Sequence, residues 1–470
     1  MFSAQTYAER RARLRRMVGN GIIILNGNLD TAINAPENAM AFRQESSFLY
    51  YFGLDVARLV GVMDCDNDCD TLYGNEVTID EMIWTGPLPS MAEQAAQVGV
   101  TRTAPLNKVA DIVAEARRQG RTIHYLPQFR GMELIYMSTL LDIPAQRVNE
   151  TASHDLMAAI TVMREIKTEE EIAVMERAFE VGYKMHTTAM RMCREGVIER
   201  EIIGAINGIA MQHGWGWSFY SHVTQHGEIL HNFGCDYPLE NGKLLLVDAG
   251  AELAGGYCSD HTRTYPVSGK FTTKQREIYD IVLRAHDHVL DIARPMRYMD
   301  LHNASLLSMA RDLTDLGLLK GNPEEAVAAG AMFMLMPHGL GHGMGIDVHD
   351  CEAIGERGNV YNFDFSRFAP RAAELACCTY RSTWQLRPGV VMSDEPGIYF
   401  IPALIEQWKA EGKCRDFVNY DKLGAFYDFG GIRLEDDLLI TETGNIMLGE
   451  GKHIPITVEE VEAYMAASRH

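Results

Sequence analysis

Acidic residues placed inside otherwise apolar strands constrain this 470-residue chain more than any other feature. The stretch 244-LLLVDAG-250 reads as an apolar strand ending in Asp248. After the pair Gly255-Gly256, a second strand, 257-YCSDHTRTYPV-267, contains Asp260. A hairpin turning near Ala254 leaves Asp248 and Asp260 equidistant from the turn and therefore directly opposite each other. Cross-strand partners have Cβ atoms about 4.5–5.5 Å apart, so two ionised carboxylates there repel unless a cation lies between them. Two later strands repeat the pattern. In 391-VMSDEPGIYF-400, Glu395 precedes a Pro-Gly turn. In 430-GGIRLEDDLLIT-441, alternation sets Arg433, Glu435 and Asp437 on one face and Ile432 and Leu434 on the other. One such acid would read as a structural ion pair; four in one region point to a shared metal.

The same region holds 336-MPHGLGHGMGIDVHD-350, with three histidines and alternating glycines. His338 and His342 stand four apart, as in the helical zinc motif H-E-x-x-H, but four glycines at about 1 kcal/mol each disfavour a helix by roughly 4 kcal/mol. In an extended chain His338 and His342 share a face. His349 has the opposite parity and joins them only if the chain bends after Gly345. The residues therefore support one ligand with nearby helpers as well as they support three ligands. Four carboxylates and one imidazole form an oxygen-rich set, suited to Mn²⁺ or Co²⁺ rather than to a thiolate zinc site. Their charge matches two dications, the arrangement of two-metal hydrolases, whose ions lie about 3.5–4 Å apart and share a hydroxide nucleophile.

Composition places this site in a soluble globular protein of two or three domains, with 47% hydrophobic and 23% charged residues. No apolar run is long enough for a membrane span, and the start MFSAQTYAERRARLRRMVGNG lacks the apolar region of a secretory signal. The arginines between 10 and 16 read as the solvated face of an opening helix. A net charge of −21 argues against a nucleic-acid partner. Nine scattered cysteines fit reduced thiols and a cytoplasmic location. The acidic stretch 64-DCDNDCD-70 reads as a solvated hairpin turn. The first ~150 residues alternate strands (21–25, 59–63, 122–126) with helices near 7–17 and 107–119. A boundary falls between 150 and 165. Beyond it, 168-TEEEIAVMERAFEVGYKMHTTAM-190 opens a long amphipathic helix, with Thr168 and Glu171 in capping-box spacing.

Taken in order, VDAG (Asp248), SDHTRTYPV (Asp260), HGLGHGMGIDVHD (His342), DEPGIYF (Glu395) and GIRLEDD (Glu435) resemble the pita-bread metallopeptidases. Within them the set is similar to the proline-specific branch, aminopeptidase P and prolidase. The upstream stretch 42-FRQESSFLYYFGLD-55 resembles the amino-terminal domain of the same proteins. The resemblance implies an α/β (α+β) chain: a creatinase/prolidase-type domain over residues 1–160 and a pita-bread catalytic domain over 161–470.

It also implies roles. Asp248 chelates one metal, His342 and part of Glu395 the other, and Asp260 and Glu435 bridge. Glu395 also moves the proton of the attacking water to the leaving nitrogen. His231 steadies the scissile peptide, His338 and His349 contact substrate, and Arg433 orients the site. The expected cofactors are two divalent ions, Mn²⁺ first, with Co²⁺ or Zn²⁺ as alternatives. The expected substrates are proline-containing peptides, cleaved at an amino-terminal Xaa-Pro bond; the alternative is an Xaa-Pro dipeptidase. Prolidase-like members grip the dipeptide carboxylate with an arginine upstream of the EPG strand, for which both Arg381 and Arg387 qualify. A homodimer or homotetramer is expected, with no membrane or nucleic-acid partner.

Creatinase-like members lack the metal set, methionine aminopeptidases usually lack the amino-terminal domain, and non-catalytic binding modules of this fold lose ligands. Two departures from the pattern stand out: 222-HVTQHGEILHN-232 replaces the usual glycine-rich approach to His231, and Asp394 precedes Glu395 where an apolar or amide residue is usual. By strand parity Asp394 points away from Glu395. The aromatic-rich insert 351–380 has no assigned role.

Overall fold

The computed structural model describes residues 2–355, 381, 383–449 and 451–468. The chain divides after Arg164 into two compact units, the first also taking in the turn that begins at Cys351. Each mixes helices with sheets, a two-domain α/β architecture.

The first unit is built on a five-stranded sheet in the order Thr103–Ala104, Cys69–Tyr73, Val60–Asp64, Ile22–Asn26, Ile123–Tyr125. Ile22–Asn26 runs antiparallel to Val60–Asp64 and parallel to Ile123–Tyr125. All its residues are buried, which is why it reads as a continuous apolar run rather than an alternating one. Helix Val109–Arg118 packs Val109, Val113 and Ala116 into the same core, at helical spacing.

The opening helix, Ala4–Val18, corrects the reading of its arginines. Arg13 and Arg16 are exposed, but Arg10, Arg11 and Arg15 are buried. Arg11 donates to Asp70 at 2.8 Å and to the carbonyls of Tyr51 (2.9 Å) and Val98 (2.8 Å). Arg15 pairs with Asp68 at 2.7 Å and also with Asp70. The 64–70 stretch is the hairpin turn expected between Val60–Asp64 and Cys69–Tyr73. Its acids, however, serve as counter-ions: Asp68 and Asp70 for these arginines, Asp64 and Asp66 for Arg121. A guanidinium that follows its stem into the core needs such partners.

Helix Glu169–Met192 opens the second unit with the expected capping box. Thr168 Oγ1 accepts from the Glu171 amide at 3.3 Å, and Glu171 Oε2 accepts from the Thr168 amide at 2.9 Å. One sheet runs Thr262–Pro266, Leu244–Asp248, His222–Thr224. Another runs Val391–Asp394, Asp436–Ile440, Asn445–Met447, and Gly397–Tyr399 pairs with Gly431–Arg433. A bridge between Thr262 and Glu435 links the first sheet to the chain between the others. Helices Thr273–Ile292 and Tyr298–Asp315 contribute Ile278, Val282, Leu306 and Met309 to a core shared with Ile398, Ile432 and Leu434. The apolar side of the 431–435 run therefore faces the helices, which leaves Arg433 and Glu435 for the other side. From residue 356 onward, the 351–380 insert lies outside the described residues. No described helix is long and apolar enough to cross a membrane.

Candidate metal centre

The hairpin carrying the two aspartates has a different register from the one expected. Asp248 stands opposite Thr262, not Asp260. The turn is centred one residue later, at Gly255-Gly256, where φ values of 98° and 86° favour glycine. Moving the centre by one residue shifts the pairing by two, so Asp260 keeps the parity of Asp248 and lies one pair further along the same face. The chain is tight there: a Cβ on Gly250 would lie 1.8 Å from the Ser259 carbonyl oxygen.

Asp260, His342 and Glu435 each offer one ligand atom, and these atoms all lie within 4.8 Å of one another. His342 Nε2 is 3.6 Å from Asp260 Oδ2 and 3.6 Å from Glu395 Oε1. Burial holds the Asp260 and Glu435 carboxyls well above the usual range, and neighbouring carboxylates, Asp248 among them, push them further. Burial also pushes Glu395 up to about 7, against the opposing pull of Arg433 and His349. Burial, then His349, holds His342 well below its ordinary value, so its imidazole is neutral and has a lone pair to offer. Asp248 Oδ1 and Asp260 Oδ1 are buried without a hydrogen-bond partner among the described residues. Crowded carboxyls, orphaned oxygens and a neutral imidazole are what a hard or borderline divalent cation would satisfy. These residues fit one.

Hydroxyl groups tie the acids and cations together. Arg433, 4% exposed, donates to Asp248 Oδ2, to the Tyr399 hydroxyl at 2.9 Å and to Thr262 Oγ1 at 3.0 Å. Thr262 Oγ1 donates to Glu435 Oε2 at 2.6 Å. Ser393 Oγ accepts from the His342 amide at 3.0 Å and donates to Glu395 Oε1 at 3.3 Å. His338 Nε2 lies 2.9 Å from the Tyr399 hydroxyl, and its Nδ1 lies 3.8 Å from Glu395 Oε2. Asp437 Oδ2 accepts from the Asp260 amide at 3.2 Å. Sequence reasoning missed Thr262, Ser393 and Tyr399, although each lies within two residues of a buried acid or Arg433 or on the strand after Glu395.

Two histidines have less predictable positions. The chain turns back after Gly345, whose amide donates to the Asp347 carbonyl at 3.1 Å, and His349 stacks on His342 with centroids 3.8 Å apart and planes at 18°. His231 is exposed and lies parallel to His222, with centroids 5.2 Å apart at 10°. His222 was also missed. It is buried and stands opposite Asp248 in the ladder, and the departure at 222–232 was its only signal.

Residues 173–442 match metallopeptidase family M24, and residues 7–124 match the aminopeptidase P N-terminal domain. The chain belongs to the M24 metallopeptidases. It is 30% identical to the Xaa-Pro aminopeptidase of Escherichia coli strain K12, over 99% of this chain and 99% of that protein. It is 29% identical to the Xaa-Pro dipeptidase of Homo sapiens, over 98% of this chain and 92% of that protein. Zinc-substituted E. coli aminopeptidase P in complex with product matches the fold with a TM-score of 0.80 at 30% identity, covering 100% of each chain.

Proposed function

We propose that this chain is a metal-dependent exopeptidase that hydrolyses the Xaa-Pro bond at the amino terminus of peptides. The observation that carries the reading is the buried group of Asp260, His342 and Glu435, with Glu395 Oε1 3.6 Å from His342, in a chain that matches Xaa-Pro peptidases along its length. Residues 1–160 form its amino-terminal domain and 161–470 its catalytic domain.

Asp248, Asp260, His342, Glu395 and Glu435 would hold the two divalent ions. Mn²⁺ is the first choice for an oxygen-rich set, with Co²⁺ or Zn²⁺ as alternatives. When bound, the ions supply a water acidic enough to attack near neutral pH. A bond to proline is a tertiary amide, so its ring nitrogen must be protonated as it leaves. Glu395, with Oε1 3.6 Å from His342 Nε2 and 3.3 Å from Ser393 Oγ, is placed for that transfer: it takes the proton from the attacking water and delivers it to the ring nitrogen. The water oxygen bonds to the acyl carbon, the C–N bond breaks, and the proton ends on the proline. Arg433 orients Asp248 and Tyr399, while His231, His338 and His349 hold the peptide.

One observation favours the dipeptidase as a second reading. Arg387 is half-exposed and pairs with Glu165, whereas Arg381 is buried and its charge is felt at His338, His342 and Glu395. A cation held there would grip the free carboxylate of Xaa-Pro. Comparing Ala-Pro with Ala-Pro-Ala on Mn²⁺-loaded enzyme decides between them: faster cleavage of the tripeptide supports the aminopeptidase, and cleavage of Ala-Pro alone supports the dipeptidase. Exhaustive chelation should abolish either activity and Mn²⁺ should restore it; activity that survives chelation would overturn the metal reading.

A homodimer or homotetramer is supported by helix Ile79–Thr85, which buries none of its residues and exposes Ile83 and Trp84. Sedimentation of the full chain tests it. Among the described residues the cysteines form no disulfide, in keeping with a cytoplasmic location, which fractionation would check.

A further inference from the structure

The bend that brings His349 onto His342 is anchored at both ends, by different means. At its start the Met344 amide donates to the Val391 carbonyl at 2.9 Å, and the Gly345 carbonyl accepts from the Cys258 amide at 3.0 Å. The Asp350 amide donates back to the Gly343 carbonyl at 2.9 Å, which closes the reversal. Its far end is also held by a side chain from another part of the same unit. Asp350 Oδ2 accepts from Lys167 Nζ at 3.0 Å, and the two side chains are 4% and 3% exposed. The pair packs on the bend itself: a Cβ at Gly345 would lie 2.6 Å from Asp350 Oδ2 and 3.0 Å from Lys167 Cε.

Lys167 is itself fixed. It directly precedes Thr168, the capping residue of helix Glu169–Met192. Its amide donates to the Gly389 carbonyl at 2.8 Å, and Nζ donates also to the Glu165 carbonyl at 3.3 Å. A buried ion pair adds little net stability, because the cost of taking both charges out of water offsets their attraction. What it does supply is direction, since either charge would be left buried and unpaired if the other moved. His349 is the residue next to Asp350, and consecutive Cα atoms are about 3.8 Å apart, so fixing Asp350 leaves the histidine little room. Its ring, half-buried, stacks on His342 with centroids 3.8 Å apart.

We infer that Lys167 is a positioning residue for the reaction: through Asp350 it fixes the end of the reversed segment and holds the His349 ring where it meets the peptide. The inference rests on the reading of His349 as a peptide contact. Misplacing a group by about 1 Å can cost roughly 100-fold in rate, which sets the scale of the effect.

The test uses the full chain. In the metal-free form, diethyl pyrocarbonate should modify His349 several-fold faster in K167M than in wild type, relative to the exposed His213. With Mn²⁺ loaded, K167M should lower kcat on Ala-Pro-Ala by about 10–100-fold while Mn²⁺ affinity, by calorimetry, stays within about threefold. The double variant H349A/K167M should be no slower than H349A, because the residue through which Lys167 acts is already gone. Unchanged modification of His349 in K167M overturns the inference, and so do rate losses that multiply in the double variant. If H349A keeps the wild-type rate, the reading of His349 as a peptide contact fails, and the modification rate alone decides whether Lys167 places the ring. If K167M does not fold, K167M/D350N, which leaves neither charge unpaired, takes its place with the same outcomes. A chain that folds in neither form overturns the inference, since the pair then serves the fold rather than His349.

Discussion

Replacing Arg433 by methionine should reveal how far the protein balances the charge of the site by itself. The guanidinium is 4% exposed and bonded to Asp248, Tyr399 and Thr262. Although burial opposes its charge, Tyr399, Asp248, Glu435 and Glu395 hold its pKa well above the ordinary value. Without it, Asp248 stays buried beside like charges. Breaking a buried pair from one side costs about 3–5 kcal/mol, which multiplies the unfolding constant by roughly two to three and a half powers of ten. Bound dications would replace part of the lost charge, so the penalty should be largest in chelator and smaller in excess Mn²⁺. Urea unfolding of the full chain, followed by circular dichroism under both conditions, measures the difference. Arg433→Lys restores the charge but not the three-way fork, and should fall between methionine and wild type. A loss below about 1 kcal/mol in both conditions, the size expected for a surface pair, would refute the account of a charge-crowded site.

His342→Ala should cost metal occupancy by elemental analysis, whereas His349→Ala should keep the metal and lose rate; equal metal loss in both would erase the distinction between ligand and helper. His286 has its folded pKa raised from 6.5 to about 10, so its stabilisation is complete below pH 6.5 and is lost as pH rises through 10. Wild-type stability should therefore decline across that window, and His286→Leu should flatten the decline; an unchanged slope would show that His286 is not the titrating group. Gly341→Ala would place a Cβ 1.8 Å from the Ser393 carbonyl oxygen, between His338 and His342. Soluble variant with wild-type Mn²⁺ affinity would show that this close approach does not set the ligand geometry.

What could be read from the sequence follows from the range of the forces involved. The shared face of Asp248 and Asp260 was legible, because side-chain parity is a local property of a strand. Their register was not, because it depends on where the turn is centred, and a one-residue change moves the pairing by two. Parity left His349 with His342 only if the chain bends after Gly345, and the reversal there does bring it onto His342. Arg10, Arg11 and Arg15 looked no different from Arg13 and Arg16, since the acids that bury Arg11 and Arg15 lie 53–59 residues away. Arg381 and Arg387 were equally ambiguous, and a partner 222 residues from Arg387 separates them. A carboxylate inside an apolar strand announces a cost, and therefore that a cation exists, but not where in the chain the cation comes from. For Asp260 and Glu435 the charge we propose is a metal ion, which the cluster of acids itself implied. For Asp436 it is Arg263 together with His286, 150 residues away on a helix whose sequence gives no hint of the site.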